Sequence, residues 1–234
     1  MESVRINKYL SEAGVCSRRA ADRLITQGRV RINGIAAQPG VRVAAGDEVT
    51  IDGKPVEKEA EQILLAFNKP KGVVCTTGHY AGNIIDYIDY PKRIYPIGRL
   101  DKNSTGLILL TNRGEIVNPI LKASRYHEKE YIVRVHKDLT EAFLEGLRTG
   151  VPILDTVTRP CVVKQTTART FTIILTQGLN RQIRRMCEYY DYRVVSLQRV
   201  RIMNITLGDL PEGKYRNVTP GEQETLMRML GLQR

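Results

Sequence analysis

Asp101 stands in PIGRLDKNSTGLILLTN, with Arg99 two residues before it and Lys102-Asn103-Ser104 directly after. A carboxylate in that setting has three uses. It can form or cap a turn, the commonest use of Asp beside Asn and Ser. It can ligate a metal, although no second carboxylate or histidine stands nearby at ligand spacing. It can attack an electrophilic carbon, provided it is ionised and held close to its target. The local residues alone favour the turn.

Two basic clusters suit an anion. Ser17-Arg18-Arg19 opens a predicted helix, with Arg23 one turn on and Lys8 nearby in sequence. A capped helix start offers free N–H groups and a positive dipole end to a phosphate. Two arginines in that first turn oppose the dipole, so the pattern fits a phosphate contact and a solvated basic face about equally. In NRQIRRMCEYY, residues 180–190, Ile183, Met186, Cys187 and Tyr190 make an apolar i, i+3, i+4, i+7 stripe. Arg181, Arg184 and Arg185 share another side, three and four residues apart. Asn180 is the expected N-cap. Residues 178–201, which add Arg193, Arg199 and Arg201, hold 6 basic and 2 acidic side chains, an excess suited to a polyanionic partner. A solvated face on an amphipathic helix explains the pattern as well.

Other candidates fall away. Gly208-Asp-Leu-Pro-Glu-Gly213-Lys214 mimics a P-loop, but Tyr215 stands where a magnesium-binding Ser or Thr belongs, so it reads as a turn. His127 has no nucleophile elbow to serve. Cys16, Cys75, Cys161 and Cys187 form no CxxC pair, and with His79, His127 and His136 scattered, no zinc spacing appears. The cysteines are expected as small buried hydrophobes. No metal site is expected.

The elements that must position these residues are legible in part. Ile6, Tyr9, Leu10 and Ala13 share a helical face ended by Gly14; Ser17 caps a second helix that buries Ala20, Ala21, Leu24 and Ile25 and closes at Gly28. Asn33-Gly34 and Asp52-Gly53 mark hairpin turns. EKEAEQ, residues 57–62, reads as a linker, which sets the expected domains at 1–60 and 61–234. Beyond it ILLAFNKP, GVVCTT, GLILLTN, YIVRV, CVVK and FTIILT are strand-like, with helices predicted at LTEAFLEGLRTG and at NRQIRRMCEYY. Strands and helices in no strict alternation give an α+β fold.

The 234 residues suffice for two modest domains, and 42% hydrophobic with 26% charged residues is an ordinary globular composition. No apolar stretch reaches the length of a membrane span, and the polar N-terminus MESVRINKYLSEAG lacks a signal-peptide core, so the expected compartment is the cytoplasm. The net charge of +11 favours a polyanionic partner. Residues 1–60 hold a surplus of +2 and residues 61–234 one of +9. Most of the excess therefore lies in the larger domain.

INKYLSEAGVCSRRAADRLITQGRVRINGIAA resembles the S4 RNA-binding domain over residues 3–50 or so. That module binds structured RNA by shape and backbone, and by itself specifies no reaction. NKPxG, GRLDxxxxGLxxLTN, EKEY and GLNRQIRRM, in that order, resemble the RsuA-type family of rRNA pseudouridine synthases. With the S4-like part the resemblance runs from about residue 3 to residue 219. HEKEY, GLNRQIRRMCEYY and RVRIMN look most like the F-type, large-subunit branch of that family.

The resemblance implies roles. Asp101 falls on the family's nucleophile. Tyr131 falls on the tyrosine whose ring packs against the target base and which is a candidate base toward the ribose. Arg184 falls on the basic residue that pairs with the catalytic carboxylate, where some relatives carry lysine. Arg99, Arg181 and Arg185 are expected on the RNA side of the cleft, and Lys8, Arg18 and Arg19 on the RNA side of the S4-like domain. The expected partner is ribosomal RNA, with a tRNA stem-loop as the alternative, and the expected enzyme is a monomer without cofactor. The reaction breaks the uracil–ribose bond, turns the base and rejoins it through carbon, so nothing is oxidised or transferred. The competing reading, a non-catalytic S4-type ribosome-assembly protein, has against it that Asp101, Tyr131 and Arg184 are all present.

Overall fold

The structure, a computed structural model, describes residues 3–57, 61–76 and 82–232; Thr77, His79 and linker residues 58–60 lie outside the described residues. Its Cα positions group into two units. One comprises Met1–Ile63, Tyr90–Ile94 and Asn112–Gly114, and the other Leu64–Asp89, Tyr95–Thr111 and Glu115–Arg234.

In the first unit local signals form the elements they predict. β1 (Val4–Arg5) leads into α1 (Ile6–Glu12), which buries Ile6 and Leu10 and stops at Gly14, where φ is +79°. Ser17 Oγ accepts a hydrogen bond from the Ala20 N–H at 3.2 Å and starts α2 (Arg18–Thr26). A cap of this kind contributes about 1 kcal/mol. β2 (Val30–Ile32) and β3 (Ile35–Ala36) turn at Asn33-Gly34. β4 (Arg42–Val43) pairs with β1, and β5 (Val49–Ile51) and β6 (Lys54–Pro55) turn at Asp52-Gly53. Both turns take φ near +50° and then near +78°, the backbone that Asn-Gly and Asp-Gly accept most readily. Ile6, Leu10, Ala21, Ile25, Val30 and Val49 close a small core.

The second unit is built on a mixed nine-stranded sheet, and the chain has the α+β fold its pattern predicts. The strands are β7 (Leu64–Lys69), β8 (Tyr95–Ile97), β9 (Thr105–Thr111), β10 (Lys129–Val135), and, beyond the separate pair β11 (Pro152–Ile153) and β12 (Thr156–Val157), β13 (Val162–Thr167), β14 (Thr170–Leu175), β15 (Val194–Ile202), β16 (Ile205–Thr206) and β17 (Tyr215–Asn217). The sheet order is β13-β14-β10-β15-β9-β7-β17, with β16 on β15 and β8 on β9. Every pairing is antiparallel except β15 with β9, which runs parallel. Among the described residues five α-helices accompany it: α3 (Ile84–Ile88), α4 (Gly114–Leu121), α5 (Glu141–Thr149), α6 (Gln182–Tyr189) and α7 (Pro220–Leu230). One core holds Val133, Phe143, Leu147, Phe171 and Met186, and a second holds Leu64, Leu107, Leu109, Ile116 and Leu226.

The described part of GVVCTT, residues 72–76, is not a strand. Val73 and Cys75 are buried, but the segment makes only an isolated bridge, Val74 with Asn83. The Pro70 and Val73 carbonyls accept hydrogen bonds from the Lys69 ammonium instead of from a neighbouring strand. The longest strand, β15, was not predicted, nor were α3, α4 and α7.

The parallel join fixes one residue type. Gly106 lies opposite Arg199 with φ +99°, and a Cβ there would sit 2.3 Å from the Arg199 carbonyl oxygen and 2.8 Å from its nitrogen. Gly106→Ala is expected to destabilise the protein by about 3 kcal/mol or more, since backbone strain and backbone collision add. Thermal denaturation measures it, and a melting temperature equal to wild type would refute the constraint.

Candidate active site

The loop between β8 and β9 is tied down on several sides. The Ser104 N–H donates to the Asp101 carbonyl at 3.0 Å, closing a turn, and the Gly72 N–H donates to the Lys102 carbonyl at 2.8 Å. The Leu100 N–H donates to Cys75 Sγ at 3.4 Å. Arg184 Nη2 donates to the Asn103 carbonyl at 3.2 Å and contacts Ser104 Oγ at 3.4 Å. The turn and nucleophile readings of Asp101 are therefore compatible. Its backbone makes the turn, while its carboxylate, about one-third exposed, lines a cavity of about 470 Å³.

Arg184 is mostly buried, and its Nε lies 3.9 Å from Asp101 Oδ2. That is an ion pair at its outer limit, without a hydrogen bond between the two groups. Burial, then the charge of Arg181, pushes the Arg184 guanidinium below its usual value, and Asp101 pulls it back up. A second cation, unassigned in the sequence reading, is Lys69. It ends β7 with no exposed surface, and its ammonium donates to the Pro70 carbonyl at 2.8 Å and the Val73 carbonyl at 2.9 Å. Burial lowers its pKa, whereas Cys75 and Asp101 raise it, so it belongs to the electrostatic surroundings of Asp101.

Tyr131 lines the same cavity from β10. Lys129, two residues earlier on that strand and so on the same face, lines it too. Arg199 stands directly across from Tyr131 on β15. Arg99 and Arg181, both exposed, join the lining. Among the described residues no group of His, Cys, Asp or Glu is placed to hold a metal.

The structure separates the predicted basic face of α6. Asn180 does not cap the helix. Arg181 occupies the N-cap position with φ +51°, while the Asn180 carbonyl and Oδ1 accept from Arg185 at 3.1 and 3.4 Å. Gln182 Oε1 accepts from the Leu179 N–H at 3.0 Å instead. Arg184 turns to the Asp101 loop, Arg185 to Asn180, and Arg181 to the cavity. Nor do Arg199 and Arg201 join an open RNA-facing surface: Arg199 is 4% exposed, and Arg201 is paired with Glu128 and Glu130 at 3.0 and 2.8 Å. In the other unit Lys8 pairs with Glu12 at 3.5 Å, Arg18 donates to Asn7 Oδ1 at 3.3 Å, and Arg19 is exposed. Cys75 and Cys187 are buried as expected, whereas Cys16 and Cys161 are only half-buried. His127 packs on the cavity wall with Nδ1 3.3 Å from the Ile120 carbonyl.

Residues 63–189 match the RNA pseudouridylate synthase family and residues 4–49 match the S4 domain. The chain is 52% identical to the dual-specificity RNA pseudouridine synthase RluF of Salmonella typhi, over 97% of this chain and 80% of that protein. It is 35% identical to the ribosomal large subunit pseudouridine synthase B of Bacillus subtilis, over 95% of each. A crystal structure of a pseudouridylate synthase superposes with a TM-score of 0.71 at 29% identity, covering 96% of this chain and 100% of that one. The chain belongs to the RNA pseudouridylate synthase family and carries an S4 domain.

Arg184→Met should lower the single-turnover rate of uridine isomerisation by about 100-fold or more, the usual loss when a preorganised charge is removed beside a reacting group. Arg184→Lys should recover much of it. Equal rates for the two variants would show that the cationic charge is irrelevant.

Proposed function

We propose that this member of the RNA pseudouridylate synthase family isomerises a specific uridine in large-subunit ribosomal RNA, with Asp101 as nucleophile. The observation that carries the reading is the convergence of three side chains. The Asp101 carboxylate and the Tyr131 ring line one cavity, and the Arg184 guanidinium lies 3.9 Å from the carboxylate. The name of the Bacillus subtilis relative supports the choice of RNA, and the surplus of +9 on residues 61–234 supports a phosphate-rich partner.

The chemistry uses these groups in a definite way. A target base must leave its helix before its glycosidic bond can be reached. The ring of Tyr131 replaces the stacking lost on that movement. Asp101 reacts as the carboxylate, with the Arg184 guanidinium 3.9 Å from it and the buried Lys69 ammonium among its electrostatic surroundings. The carboxylate then attacks the anomeric carbon, or assists a glycal-like intermediate as a ribose proton leaves, with Tyr131 as its acceptor. Carbon 5 of the turned base closes the new bond.

Residues 1–60 serve RNA affinity, with Lys8, Arg18 and Arg19 at the phosphates, and residues 61–234 perform the reaction, with Arg99, Arg181 and Arg185 toward the RNA. The enzyme works as a cytoplasmic monomer without cofactor. Every residue lining the cavity comes from the second unit, and no helix among the described residues is long and apolar enough to cross a membrane.

Unmodified ribosomal RNA tritiated at carbon 5 of uracil is expected to release tritium with the wild-type protein, without added cofactor, and not with Asp101→Ala. A tRNA stem-loop, the alternative substrate, is assayed in parallel. Release by Asp101→Ala would remove it as nucleophile, and no release by wild type from either RNA would sink the synthase reading. Replacing Arg18 and Arg19 together by Ala is expected to weaken RNA binding and to reduce the slope of log affinity against log salt by about 1 to 2. An unchanged slope would take both residues off the phosphates.

A further inference from the structure

Arg199 is the most conspicuous side chain of the cavity that the reaction as described leaves unused. It is 4% exposed, and its Nε donates to the Leu107 carbonyl at 2.7 Å. Its Nη2 has neither solvent contact nor a hydrogen-bond partner, and no carboxylate pairs with the guanidinium among the described residues. Lys129 is similar. Its ammonium reaches only the His127 carbonyl, at 3.4 Å, and no carboxylate pairs with it among the described residues. Burial first, and then the charge of Arg199, push the Lys129 ammonium below its ordinary pKa. A buried guanidinium beside a half-buried ammonium, neither with a counter-ion among the described residues, is costly to keep, and such groups mark places where an anion is received.

Register says which anion. Arg199 pairs with Tyr131 beside a bulge that leaves Val200 unpaired, both side chains line the cavity, and Lys129 lines it two residues before Tyr131 on the same strand. Cross-strand pairs stand about 5 Å apart at Cβ, so a base lying on Tyr131 has its edge within reach of both. Arg99, Lys122 and Arg181, exposed residues of the same lining, suit the phosphates of an RNA backbone. A guanidinium on the wall with 4% of its surface exposed meets the base instead.

We propose that Arg199 and Lys129 hold the carbonyl oxygens of the uracil while the base is detached from its ribose. This rests on the synthase reading above. When the C1′–N1 bond breaks, its electron pair stays with the base and spreads over N1, O2 and O4, while C1′ bonds the Asp101 carboxylate or shares a double bond with C2′ after proton loss. The base turns as an anion between two fixed positive charges. Carbon 5 then supplies the pair for the new bond to C1′. The carboxylate leaves with its own pair, or C2′ of the glycal regains its proton. The C5 proton passes to solvent, and N1 takes one up.

The test is single-turnover tritium release at saturating RNA, with uridine or 4-thiouridine at the target position, because sulfur bears the developing charge better than oxygen. On uridine, Arg199→Met is expected to lose about 100-fold and Lys129→Met about 10-fold in rate, with RNA affinity within about threefold of wild type. On 4-thiouridine both penalties should shrink by about tenfold. Penalties identical on the two bases would overturn the proposal. So would a loss confined to affinity with a shallower salt slope, which would reassign the pair to a phosphate. Should Arg199→Met fail to fold, the Lys129→Met comparison decides. Absence of release by wild type on uridine would overturn the underlying synthase reading, whereas a dead Asp101→Ala beside unpenalised Arg199→Met and Lys129→Met would overturn this proposal alone.

Discussion

Asp101 comes from one half of the large sheet and Tyr131 from the other, and the halves meet where β9 runs parallel to β15. At that seam Gly106 lets the Arg199 backbone approach to a distance no side chain would permit. The same contact has the Arg199 Nε on the Leu107 carbonyl. One backbone approach therefore sets the separation between the loop bearing the carboxylate and the strand bearing the aromatic ring. A shift of an ångström there would carry Asp101 away from Tyr131, although neither residue would have changed. Rates are sensitive to misplacements of that size.

The electrostatics of the second unit follow from that geometry. Around one partly exposed carboxylate stand a fully buried lysine, a mostly buried arginine and, along the cavity wall, Arg199 and Lys129. Backbone carbonyls satisfy most of these cations: those of Pro70 and Val73 for Lys69, of Asn103 for Arg184, and of Leu107 for Arg199. A carbonyl accepts the hydrogen bond without cancelling the charge. The cavity thus keeps a positive potential that acidic partners would have neutralised, as Glu128 and Glu130 do for Arg201.

Legibility followed the range of the forces. The first unit could be read nearly residue by residue, because caps and two-residue turns are decided within a few positions; Ser17, Asn33-Gly34 and Asp52-Gly53 all act locally. Asp101, Tyr131 and Arg184 were found through family motifs, since their proximity depends on strand order. β15 was missed because its alternation is disguised. Arg199 occupies an inward position where a hydrophobe is expected, so the strand read as a basic surface. Lys129 was within reach, lying two residues before the predicted strand that Tyr131 opens. The T-P-G-E start of α7, a capping box with Pro at N1, was visible and went unused. Asn180 has the right residue type for a cap, but its oxygens are occupied by Arg185.

The seam between β9 and β15 also sets an order in time. The pairs that complete the site join residues far apart in the chain, 92 positions for Leu107 with Arg199 and 81 for Asn103 with Arg184. Contacts of that span form slowly, because a long loop must close before they give any return. During synthesis the helices and hairpins of residues 4–55, whose pairings lie within that segment, are complete long before Arg199 exists. The first unit can therefore be folded well before the residues of the cavity have all been made. Chemistry has to wait until Arg199 has been made.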